Sequence, residues 1–225
     1  MKSIIPNVSL GSYGYEGTVK IEAWNKLSSD RFRLTINTET INTVHKMAYN
    51  RLIDHQNEMK KLILKKLFDL YPEIQDDYGW DLNEEERAKY LPDINSSGQL
   101  FDLIELCNIH IHDVSNDGMA YVGYELACTW EEEHGLGVMT HKNRIVAIGG
   151  ADTSILSWIP ISSDGSGNHI GIDLDPDKEG KVGQVINFGA DEEVKYVIAY
   201  QLKDFLIHIT NTLKEAFLLE GCSGI

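Results

Sequence analysis

At 225 residues the chain is long enough to bury a substantial core as one large domain or two small ones, and 42% hydrophobic against 24% charged residues excludes a disordered polypeptide. A net charge of −15 excludes unaided binding to nucleic acid or an anionic membrane surface, because both need basic patches. The excess is local: residues 76 to 134 hold 15 acidic and 2 basic side chains, whereas residues 1 to 75 hold 8 acidic and 11 basic ones.

The first residues are broken by Pro6 and Asn7 and show no extended apolar region or cleavage site. No uncharged apolar run nears the ~18 residues that a bilayer demands. A cytoplasmic protein without membrane insertion is expected. Cys107, Cys128 and Cys222 are odd in number and lack CxxC spacing, so neither a disulfide framework nor a zinc cage is expected. Cys107 and Cys128 lie in apolar, strand-like sequence and read as buried free thiols.

In chain order, GTVKIEAW and FRLTIN alternate apolar and polar residues around the turn residues LSSD, which predicts two short strands. From Thr40 to Tyr71 the period changes. Ile41, Val44, Ala48, Leu52, His55, Met59, Leu62, Leu67 and Leu70 recur at three-to-five-residue spacing, with Thr38 or Thr40 as cap and Pro72 as stop. One helix of that length would span about 48 Å, so a break near Asn50 or His55 is expected. Residues 72 to 97 read as an exposed connection with one weak helix at NEEERAKYL. A short helix follows, ending near Leu106. From Cys107 to Gly150 the period is two, giving antiparallel strands joined by SNDG, HKN and a wider EEEHG turn. WIPIS, HIGIDLD and QVINF continue the alternation, with Ile170, Ile172 and Leu174 expected on one buried face. A final amphipathic helix runs from Ile198 through Leu202, Phe205, Leu206, Ile209, Leu213, Ala216 and Phe217.

The pattern Trp158, Pro160, Gly165, Gly167, Ile172-Asp173-Leu174-Asp175-Pro176, Gly180, Gly183-Gln184-Val185 and Phe188, closed by a helix with Phe205 and Leu206, resembles the second half of SUKH domains. The resemblance covers residues 155 to 219, about a third of the chain. The helical first half of such domains, with its Leu-Pro and aromatic-rich turn, has no counterpart. Residues 107 to 152 resemble instead a bacterial domain of unknown function. Membership of the SUKH group implies an α+β fold, no catalytic apparatus and a protein-binding role, shared by immunity proteins against bacterial toxins and by regulators of fungal cell-wall synthesis.

Chemistry-bearing residues are few. Asp173, Asp175, Asp177 and Gly180 are spaced like calcium ligands, but Lys178 and Gln184 stand where an EF-hand needs glycine and glutamate, so a polar turn is the better reading. His110 and His112 face one way on a strand, as two metal ligands would, yet lack local third and fourth ligands. No nucleophile, phosphate-loop or dinucleotide motif is present. Trp158 is expected to be buried.

The expectations are therefore these. The fold is α+β, a mostly antiparallel sheet packed against one or two long N-terminal helices and a C-terminal helix. Residues 1–152 form an N-terminal region and 153–225 a SUKH-like one, packed as one continuous unit. The chain is a non-catalytic, immunity-type protein that neutralises a cognate toxin, with no cofactor, metal or direct nucleic-acid contact. Its partner is a protein, a basic toxin domain, held at Asp76, Asp77, Asp81, Glu84, Glu85, Glu86, Trp130, Glu131, Glu132 and Glu133, where an acidic surface steers a basic partner. The alternatives are a cytoplasmic scaffold or regulator linked to cell-envelope synthesis, and a metal-assisted hydrolase using His110, His112, Asp113 and the Glu131 region.

Overall fold

Alternating side chains make β1 (Val8–Gly11), β2 (Gly14–Lys20) and β3 (Arg31–Ile36), which pair antiparallel in a row. The computed structural model describes residues 5–26, 31–164, 166, 168–189 and 195–221, and it divides into two units, Met1–Leu156 and Ser157–Ile225. The LSSD turn, Gly165, Gly167 and Cys222 lie outside the described residues, as do the side chains of Pro160, Ala216 and Phe217.

In the first unit β4 (Ile104–Asn116), β5 (Met119–Cys128), β6 (Glu131–His141) and β7 (Arg144–Gly149) extend the sheet, and all seven strands stand in chain order. One junction departs from a meander. β3 and β4 run parallel, with Leu34 opposite Ile109 and Thr35 opposite His110. A parallel pair requires a crossover, and here the helices supply it.

These helices are α1 (Thr43–Asp54) and α2 (Gln56–Tyr78), broken at His55. Ala48, Leu52, Met59, Ile63, Leu67 and Tyr71 share one core with Leu34, Ile36, Ile109, Ile111 and Tyr124 of the sheet. Burial of each such side chain stabilises the fold by about 1.5–3 kcal/mol, before ordering costs.

The cap of α1 is Asn42 rather than Thr38 or Thr40. Its Oδ1 accepts from the Val44 N–H at 3.0 Å, and the His45 Nδ1 accepts from its own N–H at 3.1 Å. Asn42→Ala is expected to lower stability by about 1 kcal/mol, read as a lower urea midpoint with unchanged slope.

Pro72 does not end the helix; it lies exposed inside α2. On either side of it the Tyr71 hydroxyl donates to the Pro92 carbonyl at 3.0 Å and the Gln75 amide to that of Leu91 at 3.2 Å, which hold the last turns in place. The predicted weak helix is α3 (Glu84–Tyr90), and the next, α4, is only Leu100–Leu103 because β4 begins at once.

Strand β4 carries a bulge. Leu106 pairs with Leu126 and Asn108 with Glu125, leaving Cys107 without an opposite. The extra residue shifts the alternation, so Ile104 and Leu106 reach the same core as Ile109 and Ile111. Cys107 itself is left exposed, contrary to expectation, whereas Cys128 is buried. The β4–β5 turn has Asp117 at φ 45° and Gly118 at φ 75°, the conformation that a two-residue hairpin matching the sheet's twist demands.

In the second unit β8 (Trp158–Ser163), β9 (Asn168–Asp173), β10 (Gln184–Gly189) and β11 (Tyr196–Ala199) form an antiparallel sheet in the order β11-β10-β9-β8, followed by α5 (Leu202–Gly221). Ile198 is therefore in a strand, and the helix expected to include it starts four residues later. Leu174 is buried but Ile170 and Ile172 are only half-buried, and the buried polar residue of β9 is Asp173. The fold is thus α+β with mostly antiparallel sheets. Among the described residues no helix is long and apolar enough to cross a membrane.

Candidate functional site

Ten residues carry the expected partner surface, and the structure brings them to one end of the first unit. Asp76 and Asp77 close α2, Asp81 follows it, and Glu84, Glu85 and Glu86 form the first turn of α3. The Thr129 hydroxyl ties the β5–β6 turn to the end of α3 by donating to the Tyr90 carbonyl at 2.7 Å. Trp130 is half-buried, edge-on to Tyr71 with centroids 5.9 Å apart, so it anchors this end rather than standing free.

The acids are not where a wide turn would put them. The turn is Thr129–Trp130; Cys128 pairs with Glu131 and Leu126 with Leu136, so Glu132 to Gly135 bulge from the start of β6.

Two of the carboxylates are committed locally. Glu86 accepts from the Asn83 N–H at 3.1 Å, completing a reciprocal cap, and Glu131 accepts from the backbone N–H groups of Glu133 and His134 at 3.3 and 3.2 Å. Those bonds hold the Glu131 carboxyl below its ordinary range. The remaining acids project into solvent.

Their fields converge: burial raises the Tyr78 phenol, and Glu131 and Asp77 push it further up. Beside it Trp80 is 82% exposed, a residue that the sequence reading missed. An exposed Trp among solvated carboxylates is the composition of an interface anchor. With α2 stopped at Pro72, Trp80 fell in an undifferentiated loop; only the longer helix places it at an exposed terminus.

The residues of the hydrolase alternative are not assembled. His110 Nε2 donates to Glu125 Oε2 at 3.0 Å and its Nδ1 pairs with Thr35 Oγ1 at 2.6 Å, while His112 Nε2 donates to the Ser154 carbonyl at 2.9 Å. Burial lowers the pKa of His110, and takes that of His112 down to about 4. Asp113 points to the other face, with Oδ1 3.3 Å from His45 Nε2. Among the described residues no three His, Cys, Asp or Glu side chains are grouped to hold a metal.

A second concave site lies in the second unit. Ile186 and Val197 floor a cleft of about 800 Å³, and the loop from Asp175 to Gly180 walls it. The 4%-exposed Asp173 accepts from the Gln184 amide at 3.1 Å and from the Asp175 N–H at 3.0 Å, which braces the loop. Trp158 is half-buried rather than buried, edge-on to Phe188 at 5.0 Å, with the Lys195 ammonium 5.1 Å from its ring centre.

Residues 7–156 match the family model described as Domain of unknown function (DUF6985). The chain belongs to this family. The matched span begins well before the segment 107–152 set apart in the sequence and ends where the first unit ends.

Relatives among characterised proteins match a different measure of chain. A KNR4/SMI1 homolog of Kluyveromyces lactis is 51% identical over 57 residues, 25% of this chain and 11% of the relative. The cell wall assembly regulator SMI1 of Saccharomyces cerevisiae is 47% identical over 58 residues, 26% of this chain and 12% of that protein. The glucan synthesis regulatory protein of Neurospora crassa is 40% identical over 57 residues, 25% and 11% respectively. The matched stretch is thus about a tenth of each relative's length. The last two carry the names of regulators rather than enzymes.

Proposed function

We propose that this chain is a non-catalytic, protein-binding regulator or scaffold linked to cell-envelope synthesis. It joins a DUF6985 unit to an SMI1-like unit, the latter within Ser157–Ile225. The observation that carries the reading is the 40–47% identity of one segment to cell-wall and glucan-synthesis regulators. It displaces toxin neutralisation as the leading reading, because identity at that level links the shared segment to regulators by name. In this reading the acidic end, with Trp80 as anchor and the carboxylates of α3 and β6 around it, docks a basic partner. Steering by such a patch acts on encounter rate and weakens with salt.

Deleting the gene in its own host is expected to sensitise cells to agents that attack envelope polysaccharide, with rescue by the intact chain. Trp80→Ala combined with Glu84→Lys and Glu85→Lys is expected to restore expression but less than about half of the resistance, since a central aromatic and its charged rim carry most of an interface. Unchanged sensitivity in the deletion strain defeats the envelope reading, and full rescue by the triple variant removes the acidic end from it.

The immunity reading retains one supporting observation, the solvated carboxylates themselves, which can stand in for phosphates in a basic cleft. Its outcome differs: the deletion strain would then be killed by a secreted product of its siblings while keeping normal envelope resistance.

A further inference from the structure

β11 is the outer strand of the second sheet: it pairs with β10 on one side, and no described strand lies on the other. Such an edge offers unpaired N–H and C=O groups, and proteins ordinarily blunt it with charge, proline or a covering element. Here a bulge at Ile198 interrupts the ladder, but the side chains of the strand are apolar. Tyr196, Val197 and Ile198 are 53%, 44% and 42% exposed, and Tyr200 just beyond is 56% exposed. Side chains on both faces of the strand are thus open and apolar.

The cleft described above begins at this edge. Val197 stands opposite Ile186 in the β10–β11 register, so the two share the face that floors it. Four carboxylates line it, those of Asp173, Asp175, Asp177 and Glu179, against the two ammonium groups of Lys178 and Lys195. The Lys195 ammonium lies 5.1 Å from the Trp158 ring centre and that of Lys181 5.1 Å from the ring centre of Tyr200, another lining residue, and with all three lysines counted the cleft remains net negative.

We propose that the β11 edge accepts an extended segment of a partner protein as an added strand, and that the cleft receives a lysine or arginine side chain of that segment. The occupant follows from period and charge. A strand laid along β11 points alternate side chains to the Ile186–Val197 face, where the carboxylates wait, and the intervening ones to the face of Tyr196, which offers an apolar contact. Backbone pairing supplies affinity that any extended chain can use, and the acidic wall selects a basic one. The proposal rests on the reading of the chain as a protein-binding module, and it uses residues of the second unit, whereas those of the acidic end belong to the first.

The test uses the intact chain and a fluorescent peptide of alternating lysine and valine, about seven residues long, titrated at about 150 mM salt so that diffuse attraction to an acidic protein is screened. Saturable binding is expected, with new hydrogen-exchange protection at the amides of residues 195–199. Asp175→Asn with Asp177→Asn and Glu179→Gln is expected to weaken it at least about tenfold, whereas Glu39→Gln with Glu73→Gln, exposed carboxylates of neither candidate surface, leaves it within about twofold.

A peptide of the same charge, N-methylated on every backbone nitrogen, is expected not to bind, because neither of its edges can donate to the β11 backbone. Absence of saturable binding, equal binding of the methylated peptide, or equal loss from both sets of variants overturns the proposal. None of these results alters the envelope phenotype of the deletion strain, so failure here and failure of the regulatory reading are told apart.

Discussion

Gly123→Ala is expected to destabilise the first unit by about 3 kcal/mol or more, the upper end of what overpacking costs. The 3-10 turn Ala151–Ser154 lies on the sheet face opposite the helices, and it lies so close that a Cβ at Gly123 would meet the Ser154 carbonyl oxygen at 1.7 Å. The obstacle is backbone, not the end of a flexible side chain, so no rotamer change relieves it. Gly137 on the neighbouring strand faces the same turn, where a Cβ would lie 2.4 Å from the Gly150 oxygen. The glycines therefore make a flat seat for the turn, and the seat fixes the Ser154 carbonyl that His112 grips at 2.9 Å.

For a unit of this size the loss corresponds to a melting temperature lower by roughly 6–12 °C. Calorimetry of the variant checks it. The 3-10 turn would be expelled if the protein relieved the clash locally, and the His112 contact would be lost with it. A melting temperature within about 1 °C of the parent would show that the turn does not sit where it is placed.

Local pattern accounts for most of what was legible. Period-two runs marked β4 to β10, and three-to-four spacing marked α1 and α2 with their break at His55, because each signal is written within ten or so neighbouring residues. What failed was decided by distant ones. Pro72 is a stop only where nothing rewards continuation, and here Leu91 and Pro92, on the far side of α3, accept hydrogen bonds from the turn around it.

The alternation of β4 looks unbroken, yet the bulge at Cys107 is forced by the need of both its halves to face one core. Ile198 continues the apolar stripe of α5 equally well as helix or strand, and pairing with β10 decides it.

The candidate sites follow the same division. The acidic residues were visible as composition, but their gathering at one end depends on the contact of the β5–β6 turn with α3. Trp80 was hidden by the mistaken helix end. The pairing of Thr35 with His110 requires the parallel β3–β4 register, for which the sequence between them holds no sign.

Acidification is expected to weaken the first unit through His112, in a window set by its own shift. The imidazole is 4% exposed and donates from Nε2 to a backbone carbonyl, and burial takes its pKa from 6.5 down to about 4. The neutral form is therefore the one the fold holds. Above pH 6.5 both folded and unfolded chains carry it neutral and the full stability is present. Between about pH 6.5 and 4 the unfolded chain binds the proton and the folded chain does not, so stability falls as pH falls.

Lowering the pKa from 6.5 to about 4 corresponds to about 3 kcal/mol in all, of which about 2 is lost between pH 7 and 5. His45 and His110, also lowered mainly by burial, add in the same direction. Carboxylates and the overall negative charge contribute their own pH dependence, so the informative quantity is the difference from His112→Gln. That variant keeps an N–H donor for Ser154 but cannot titrate. Its urea midpoint is expected to fall less steeply than the parent's over this range, and parallel curves for the two proteins would mean that His112 accepts its proton in the folded state.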